Sequence, residues 1–206
     1  MRKFFITGIG TDVGKTVVSA IVVEALKADY WKPVQAGDLE FSDTDKVRDL
    51  VSNRKSFFHD NSYSLNKPMS PHAAAELDGI RIDSRRILEP VTSNDLVIEG
   101  AGGLLVPVNE SETILDLIRD DYKILVVSRN YLGSINHTLL TLEALKSRGM
   151  NVCGIIFNGD EVPSTESIIE QLSGVPVIGR ISQEKEIDSQ TVSRYAELLR
   201  TKLESL

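Results

Sequence analysis

A single cysteine, Cys153, stands in 206 residues. Without a second thiol the chain has neither an intrachain disulfide nor a thiolate metal cluster, and Cys153, inside an apolar β-branched run, reads as a buried strand residue and not a nucleophile. Histidine is scarce too. His59, His72 and His137 show no metal-ligand spacing, which argues against a zinc site. Positive charge is in deficit: the net charge is −7 and the pI near 5.1. That excludes a nucleic-acid binder working through a broad basic face, while leaving room for a local phosphate site. No apolar run approaches membrane-spanning length, and the opening Met-Arg-Lys-Phe-Phe lacks the pattern of a signal peptide. Internal repeats, low-complexity tracts and linkers are absent as well. The expectation is one α/β domain over residues 1–206, cytoplasmic, without a nucleic-acid or membrane partner.

Against these absences, apolar and β-branched runs recur along the chain. Residues 4–7, 95–99, 123–128, 152–158 and 175–179 read as strands of a buried parallel sheet, joined by a short strand at 30–32. Helical patterns alternate with them, at 17–28, 136–148, 164–172 and 189–203, and a short one at 73–78. Residues 53–71 are polar and irregular and read as a long loop over one end of the sheet. The alternation predicts a doubly wound, mainly parallel three-layer α/β sandwich, with ligands at the carboxyl ends of the strands.

The first strand runs into Gly8-Ile9-Gly10-Thr11-Asp12-Val13-Gly14-Lys15-Thr16, and a helix follows. A strand, a glycine loop and Gly-Lys-Thr opening a helix is the arrangement of a P-loop. Glycines let successive N–H groups turn inward around an anion, and the helix N-terminus adds partial positive charge. In that arrangement Lys15 reaches the β- and γ-phosphates and the Thr16 hydroxyl ligates Mg²⁺. The loop is one residue longer than the common form: Ile9 stands where the first glycine is usual, and Gly8 lies one place earlier. The competing reading is a glycine turn that only connects strand to helix.

Other residues have both a chemical and a plain reading. Lys32, in Trp31-Lys32-Pro33-Val34-Gln35-Ala36-Gly37, emerges at the end of the second strand, either as a surface lysine or as a second cation facing the P-loop. Ser42-Asp43-Thr44-Asp45 opens a helical stretch and offers caps. It also offers a carboxylate for Mg²⁺, which takes few protein ligands, and Asp45 is the expected one, with Asp43 close behind. Glu99 ends a hydrophobic strand before Gly100-Ala101-Gly102-Gly103, the position of a metal-ligating acid or of a turn acid tolerated at the strand's edge. Ser70-Pro71-His72 reads by itself as a helix start.

Taken in order, Gly-Thr-Asp-Val-Gly-Lys-Thr, Lys-Pro-Val-Gln-Ala-Gly, Ser-Pro-His, Glu-Gly-Ala-Gly-Gly and Gly-Ser-Ile-Asn-His-Thr-Leu-Leu-Thr make the chain resemble the dethiobiotin synthetases of biotin biosynthesis, from about residue 3 to about residue 180. The longer P-loop is what that family looks like. The resemblance implies an ATP- and Mg²⁺-dependent ligase that joins CO₂ to 7,8-diaminononanoate and closes a cyclic urea through a carbamate and a carbamic–phosphoric anhydride. Carried over by position, Thr11 and Asp12 lie beside the reacting groups, Asp12 standing where Glu is common. Lys15 and Lys32 contact the phosphates and the carbamate. Asp12, Val13, Gly14, Lys15, Thr16 and Val17 cradle the nucleotide together with Glu99, and Thr16, Asp45 and Glu99 hold Mg²⁺. Asn158 meets the adenine edge. The resemblance also implies a homodimer whose interface holds the substrate carboxylate at Gly133, Ser134, Ile135 and Asn136. Two departures stand out: Ala36 replaces a usual Ser or Thr, and Ser182 a usual Pro.

The rival is a dimeric nucleotide switch of the partitioning or metallochaperone type. Such proteins usually carry an extra lysine early in the P-loop, and residues 8–13 contain none. A second rival, an ATP-dependent amidoligase on another carboxylate, usually adds a glutaminase domain for which the chain has no room.

Overall fold

A strand with Phe4, Phe5 and Ile6 in succession cannot leave either face in water. The computed structural model, which describes residues 1–206, gives it cover on both sides. The strands are β1 (Lys3–Gly8), β2 (Asp29–Trp31), β3 (Val34–Ala36), β4 (Phe58–His59), β5 (Tyr63–Leu65), β6 (Leu96–Gly103), β7 (Lys123–Arg129), β8 (Val152–Asn158) and β9 (Val177–Ile181). The helices are α1 (Lys15–Leu26), α2 (Asp43–Leu50), α3 (Pro71–Leu77), α4 (Ser134–Ser147), α5 (Pro163–Ser173) and α6 (Ser189–Glu204). Seven strands form one parallel sheet in the order β4-β2-β6-β1-β7-β8-β9. Alternate side chains of β1 enter two cores: Phe4 and Ile6 pack with α1, α2 and α6, while Phe5 packs with α3, α4 and α5. This is the three-layer P-loop architecture expected. No helix is long and apolar enough to cross a membrane.

The strand order places the site. From β1 the chain steps first to the β2 side of the sheet, then crosses to β7, β8 and β9. The carboxyl end of β1 therefore lies where the order reverses, the crevice in which open α/β sheets bind ligands. Helix α1 leaves from there. Its sequence is apolar nearly all round and rich in β-branched residues, which are indifferent helix formers. Burial between the sheet and α6 overrides that: Val18, Ala20, Ile21, Val22 and Val23 are fully buried.

Residues 53–71 depart from the long-loop reading. They contain β4, whose Phe58 and His59 pair with Tyr30 and Trp31, and β5, which pairs with β3 in a separate two-stranded ribbon. Strands this short carry no readable period, and only a distant partner makes them strands. Other boundaries moved: β6 continues past Glu99 to Gly103, and α1 begins at Lys15. Cys153 lies on β8 as read, but is only half-buried.

Asp29 fastens β4 to the sheet. Its buried carboxylate accepts hydrogen bonds from Thr92 Oγ1 (2.7 Å), the Phe57 N–H (2.9 Å), Asn94 Nδ2 (3.1 Å) and His59 Nε2 (3.3 Å). Burial alone would raise its pKa, but these donors hold it below the ordinary aspartate range. A depressed folded-state pKa contributes stability above the unfolded value and loses it as pH falls through the folded one. Asp29→Ala is expected to cost about 3 kcal/mol at pH 7. In urea unfolding that gap should narrow as the buffer is taken below the ordinary aspartate range; a gap independent of pH would refute the account.

Candidate functional site

Residues 9–14 turn from β1 into α1, and the turn demands backbone that few residues supply. Asp12 has φ 56° and Gly14 φ 97°. At Gly14 a second constraint applies, because a Cβ there would sit 2.2 Å from Asn158 Nδ2. That amide, at the end of β8, donates to Val13 O (2.9 Å) and so clamps the loop from the far side of the sheet. Gly14 caps α1 without a side chain, so no cap side chain competes for the helix's first N–H groups, which stand free to meet an anion. Lys15 curls over the loop, its Nζ donating to Gly10 O at 2.9 Å. Burial lowers its pKa to about 8, partly opposed by the Glu99 carboxylate and reinforced by Lys32. An anion in the loop would favour the protonated amine.

Beside the loop, buried charges meet. Glu99 on β6 lies in register with Ile6 of β1 and is 1% exposed. Its Oε1 accepts from Thr16 Oγ1 (3.0 Å) and Lys32 Nζ (3.1 Å), and its Oε2 from Tyr30 Oη (2.9 Å). Lys32, immediately after β2 and 5% exposed, also donates to Asp43 Oδ2. Burial works against its charge, but Glu99 and Asp43 outweigh that and raise its pKa. Asp43 shows the converse: burial would raise its pKa, and Lys32 followed by Lys46 brings it down. Lys46 reaches Asp43 Oδ1 and Asp38 Oδ2, both at 3.1 Å. Lys15, Lys32, Asp38, Asp43, Lys46 and Glu99, with Thr11, Asp12, Gly14, Thr16 and Gln35, line a cleft of about 740 Å³, closed opposite by Met69, Ser70 and Pro71.

Asp45, the carboxylate expected at the metal, is outside this cleft. Ser42-Asp43-Thr44-Asp45 folds as a capping box: Asp45 Oδ2 accepts from the Ser42 N–H (3.0 Å), while Ser42 Oγ accepts from the Asp45 N–H (3.3 Å). The other Asp45 oxygen meets Arg48. Asp43, one position into the helix, is the residue turned to Lys32. The signal was present in the spacing, since a box of this kind commits the acid three places after the serine to the backbone.

The remaining expected residues divide. Val13 is buried in the α1 core and can offer only its backbone, and Val17 packs at that core's edge. His72 is exposed and lines no part of the cleft. Gly133, Ser134, Ile135 and Asn136 form the start of α4 and do not line the cleft either. Ser134 is buried there, and Asn136 faces a groove between α4 and α5. The sequence reading missed Gln35, although Lys-Pro-Val-Gln-Ala-Gly contains it, and Asp38 and Lys46, which belong to no motif; only the packing of α2 against the loop after β3 assembles them.

Because Gly14 is held by both its φ and Asn158, Gly14→Ala should lower unfolding free energy by about 1–3 kcal/mol. Adding Asn158→Ala should recover part of that loss, read by urea unfolding as a double-mutant cycle; strict additivity would show that the two residues do not touch.

Residues 2–191 match a family model described as an AAA domain. Among solved structures, the cell division ATPase MinD of Pyrococcus furiosus superposes with a TM-score of 0.61 at 13% identity, covering 98% of this chain and all of that one. MinD of Pyrococcus horikoshii, complexed with Mg-ADP, gives 0.60 at 14% identity, covering 96% and 95%. At such identity the likeness speaks for the fold alone. Among curated sequences, the ATP-dependent dethiobiotin synthetase BioD of Christiangramia forsetii is 61% identical over 98% of both chains. That of Cytophaga hutchinsonii is 49% identical over 95% of this chain and 96% of its own. An identity of this size along nearly the whole length, with the P-loop and its facing carboxylates assembled in one cleft, makes the chain a member of the ATP-dependent dethiobiotin synthetase family, ligases of biotin synthesis.

Proposed function

We propose that this chain joins CO₂ to 7,8-diaminononanoate at the expense of ATP and releases dethiobiotin, ADP and phosphate. The observation that carries the reading is the convergence of Lys15, Lys32, Thr16, Asp43 and Glu99 on one cleft at the mouth of the P-loop. In the proposed sequence one amine adds to CO₂ and loses a proton, giving a carbamate. A carbamate oxygen attacks the γ-phosphorus and ADP leaves. The second amine then attacks the activated carbonyl carbon, and phosphate leaves as the ring closes.

The residues supply what those steps demand. The α1 N-terminus and Lys15 bind the phosphates, and Lys32 lies where it can meet the anionic carbamate and the transferring phosphoryl group. Thr11 and Asp12, at the loop's exposed tip, border the same space. Thr16, Asp43 and Glu99 present only oxygen donors, the set a hard cation such as Mg²⁺ prefers. Bound there, Mg²⁺ would neutralise phosphate charge. No group of three or more His, Cys, Asp or Glu side chains stands ready to hold a metal unaided, which agrees with an ion shared with nucleotide phosphates. The Asn158 amide retains its oxygen for an adenine amino group while its nitrogen holds the loop. A homodimer is supported by the separation of the α4 N-terminus from the cleft within one chain, and by Leu132, just before α4 and fully exposed, and Leu140, on α4 and 59% exposed. A second subunit would cover them and bring Gly133–Asn136 to the substrate carboxylate.

Phosphate release from MgATP should require both 7,8-diaminononanoate and bicarbonate, with the mass of the cyclic urea appearing alongside it. Release indifferent to both, by folded protein, would replace this reading with a nucleotide switch. Lys15→Ala should reduce turnover at least a hundredfold, a loss of about 3 kcal/mol of transition-state stabilisation.

The neighbouring acids should separate. Asp43→Ala is expected to lower turnover as strongly. Asp45→Ala should leave it near the wild-type value while lowering stability by about 1 kcal/mol through loss of the cap. The opposite pattern in steady-state rates would restore Asp45 to the metal.

A further inference from the structure

Tyr30 is the largest side chain among those fully shut from solvent, and its hydroxyl makes one hydrogen bond to a side chain, to Glu99 Oε2 at 2.9 Å. The placement follows from register. Tyr30 of β2 stands beside Val97 of β6, and Glu99 lies two residues further along the same face, toward α1. Thr16 and Lys32 approach the same carboxylate from the cleft, but both bond Oε1. The two oxygens therefore face different surroundings: Oε1 is shared with the cleft, and Oε2 is held in the core by a donor that is not part of the cleft lining.

We propose that Tyr30 is a positioning residue that fixes the rotation of the Glu99 carboxylate and so presents Oε1 to the metal site. The inference rests on the reading of Thr16, Asp43 and Glu99 as that site. A carboxylate on a flexible side chain can turn either oxygen to a cation, or share both. With Oε2 held by a buried phenol, one orientation remains, and its ordering cost is met on folding and not on binding. The choice of donor matters. A lysine or arginine behind Glu99 would draw its charge away from the cleft, whereas a phenol, kept neutral by its apolar surroundings, orients the carboxylate and leaves its charge intact. Phe58, whose ring centroid lies 6.3 Å from that of Tyr30, packs against the ring and has no hydrogen-bonding group to offer Glu99.

Tyr30→Phe preserves the ring and removes only the donor. The probe is Mn²⁺ with ADP, titrated into the full-length protein and followed through the electron paramagnetic resonance signal of free Mn²⁺, so that no turnover is needed. Affinity for Mn²⁺ in Tyr30→Phe is expected to fall about tenfold, and kcat to fall with KM for the diamine unchanged. Phe58→Leu, which disturbs the same packing, should lower the melting temperature and leave Mn²⁺ affinity alone. Wild-type affinity in folded Tyr30→Phe would overturn the proposal, as would an equal loss in Phe58→Leu, which would reduce the effect to packing. Glu99→Gln separates this inference from the reading beneath it. Loss of Mn²⁺ binding there, with none in Tyr30→Phe, sinks the Tyr30 role alone; undiminished binding in Glu99→Gln sinks the metal site and the proposal with it.

Discussion

An ammonium group removed from water must have anions at hand, and Lys32 has two. Its Nζ lies between Glu99 of β6 and Asp43 of α2, in a site where losing either partner would strand a buried charge. Breaking such a pair typically costs about 3–5 kcal/mol. The chain must therefore bring together elements distant in sequence before this lysine can be buried at all. Once it is, the end of β2, the middle of β6 and the first turn of α2 are held in one arrangement, and the P-loop closes against it through Thr16. The same opposition of charges that organises the fold at this point gathers lysines and carboxylates at the mouth of the P-loop, the set on which the proposed function draws.

The apolar frame makes that burial affordable in a geometric sense: it fixes where the polar groups fall. Strands β1 and β6 run side by side, so Glu99 lies next to Ile6, two residues before β1 gives way to the glycine loop. Strands β7 and β8 continue the same register on the other side and put Asn158 against Gly14. The loop is thus gripped from both flanks of the sheet, by a carboxylate through Thr16 and by an amide through Val13. The side of the loop left open is the cleft, which Thr11, Asp12 and Gly14 line. Asp29 does comparable work at the opposite end of β2, tying the short edge strand to the sheet with side-chain and backbone donors gathered from two distant stretches of chain.

Much of this was legible beforehand because it is local. The run Phe4-Phe5-Ile6 states a buried strand, Gly14-Lys15-Thr16 a phosphate loop, and Leu96-Val97-Ile98 a buried strand that carries an acid at 99, although that strand runs on to Gly103. Each depends on residues within a few positions of one another, and so does the ordered set of motifs that gave the family. What was illegible had its cause elsewhere in the chain. Phe58 and His59 become a strand because Tyr30 and Trp31 offer an open edge. Lys46 and Asp38 become neighbours because α2 folds back over the turn after β3. Asp45 was expected in the cleft and lies outside it, and Ser42-Asp43-Thr44-Asp45 carried the reason: the capping box commits the fourth residue to the helix end, and the second is left to turn inward.

The sequence by itself therefore determined the fold class, the phosphate loop and the family, since periodicity, glycine placement and motif order are properties of contiguous residues. Only the tertiary structure decided which of two neighbouring aspartates faces Lys32, that Tyr30 stands behind Glu99, and that the start of α4 lies away from the cleft within one chain. Those are matters of direction. A side chain's direction is set by helix phase, strand register and the shape of whatever packs against it, and contacts between residues tens of positions apart exist only once the sheet has closed.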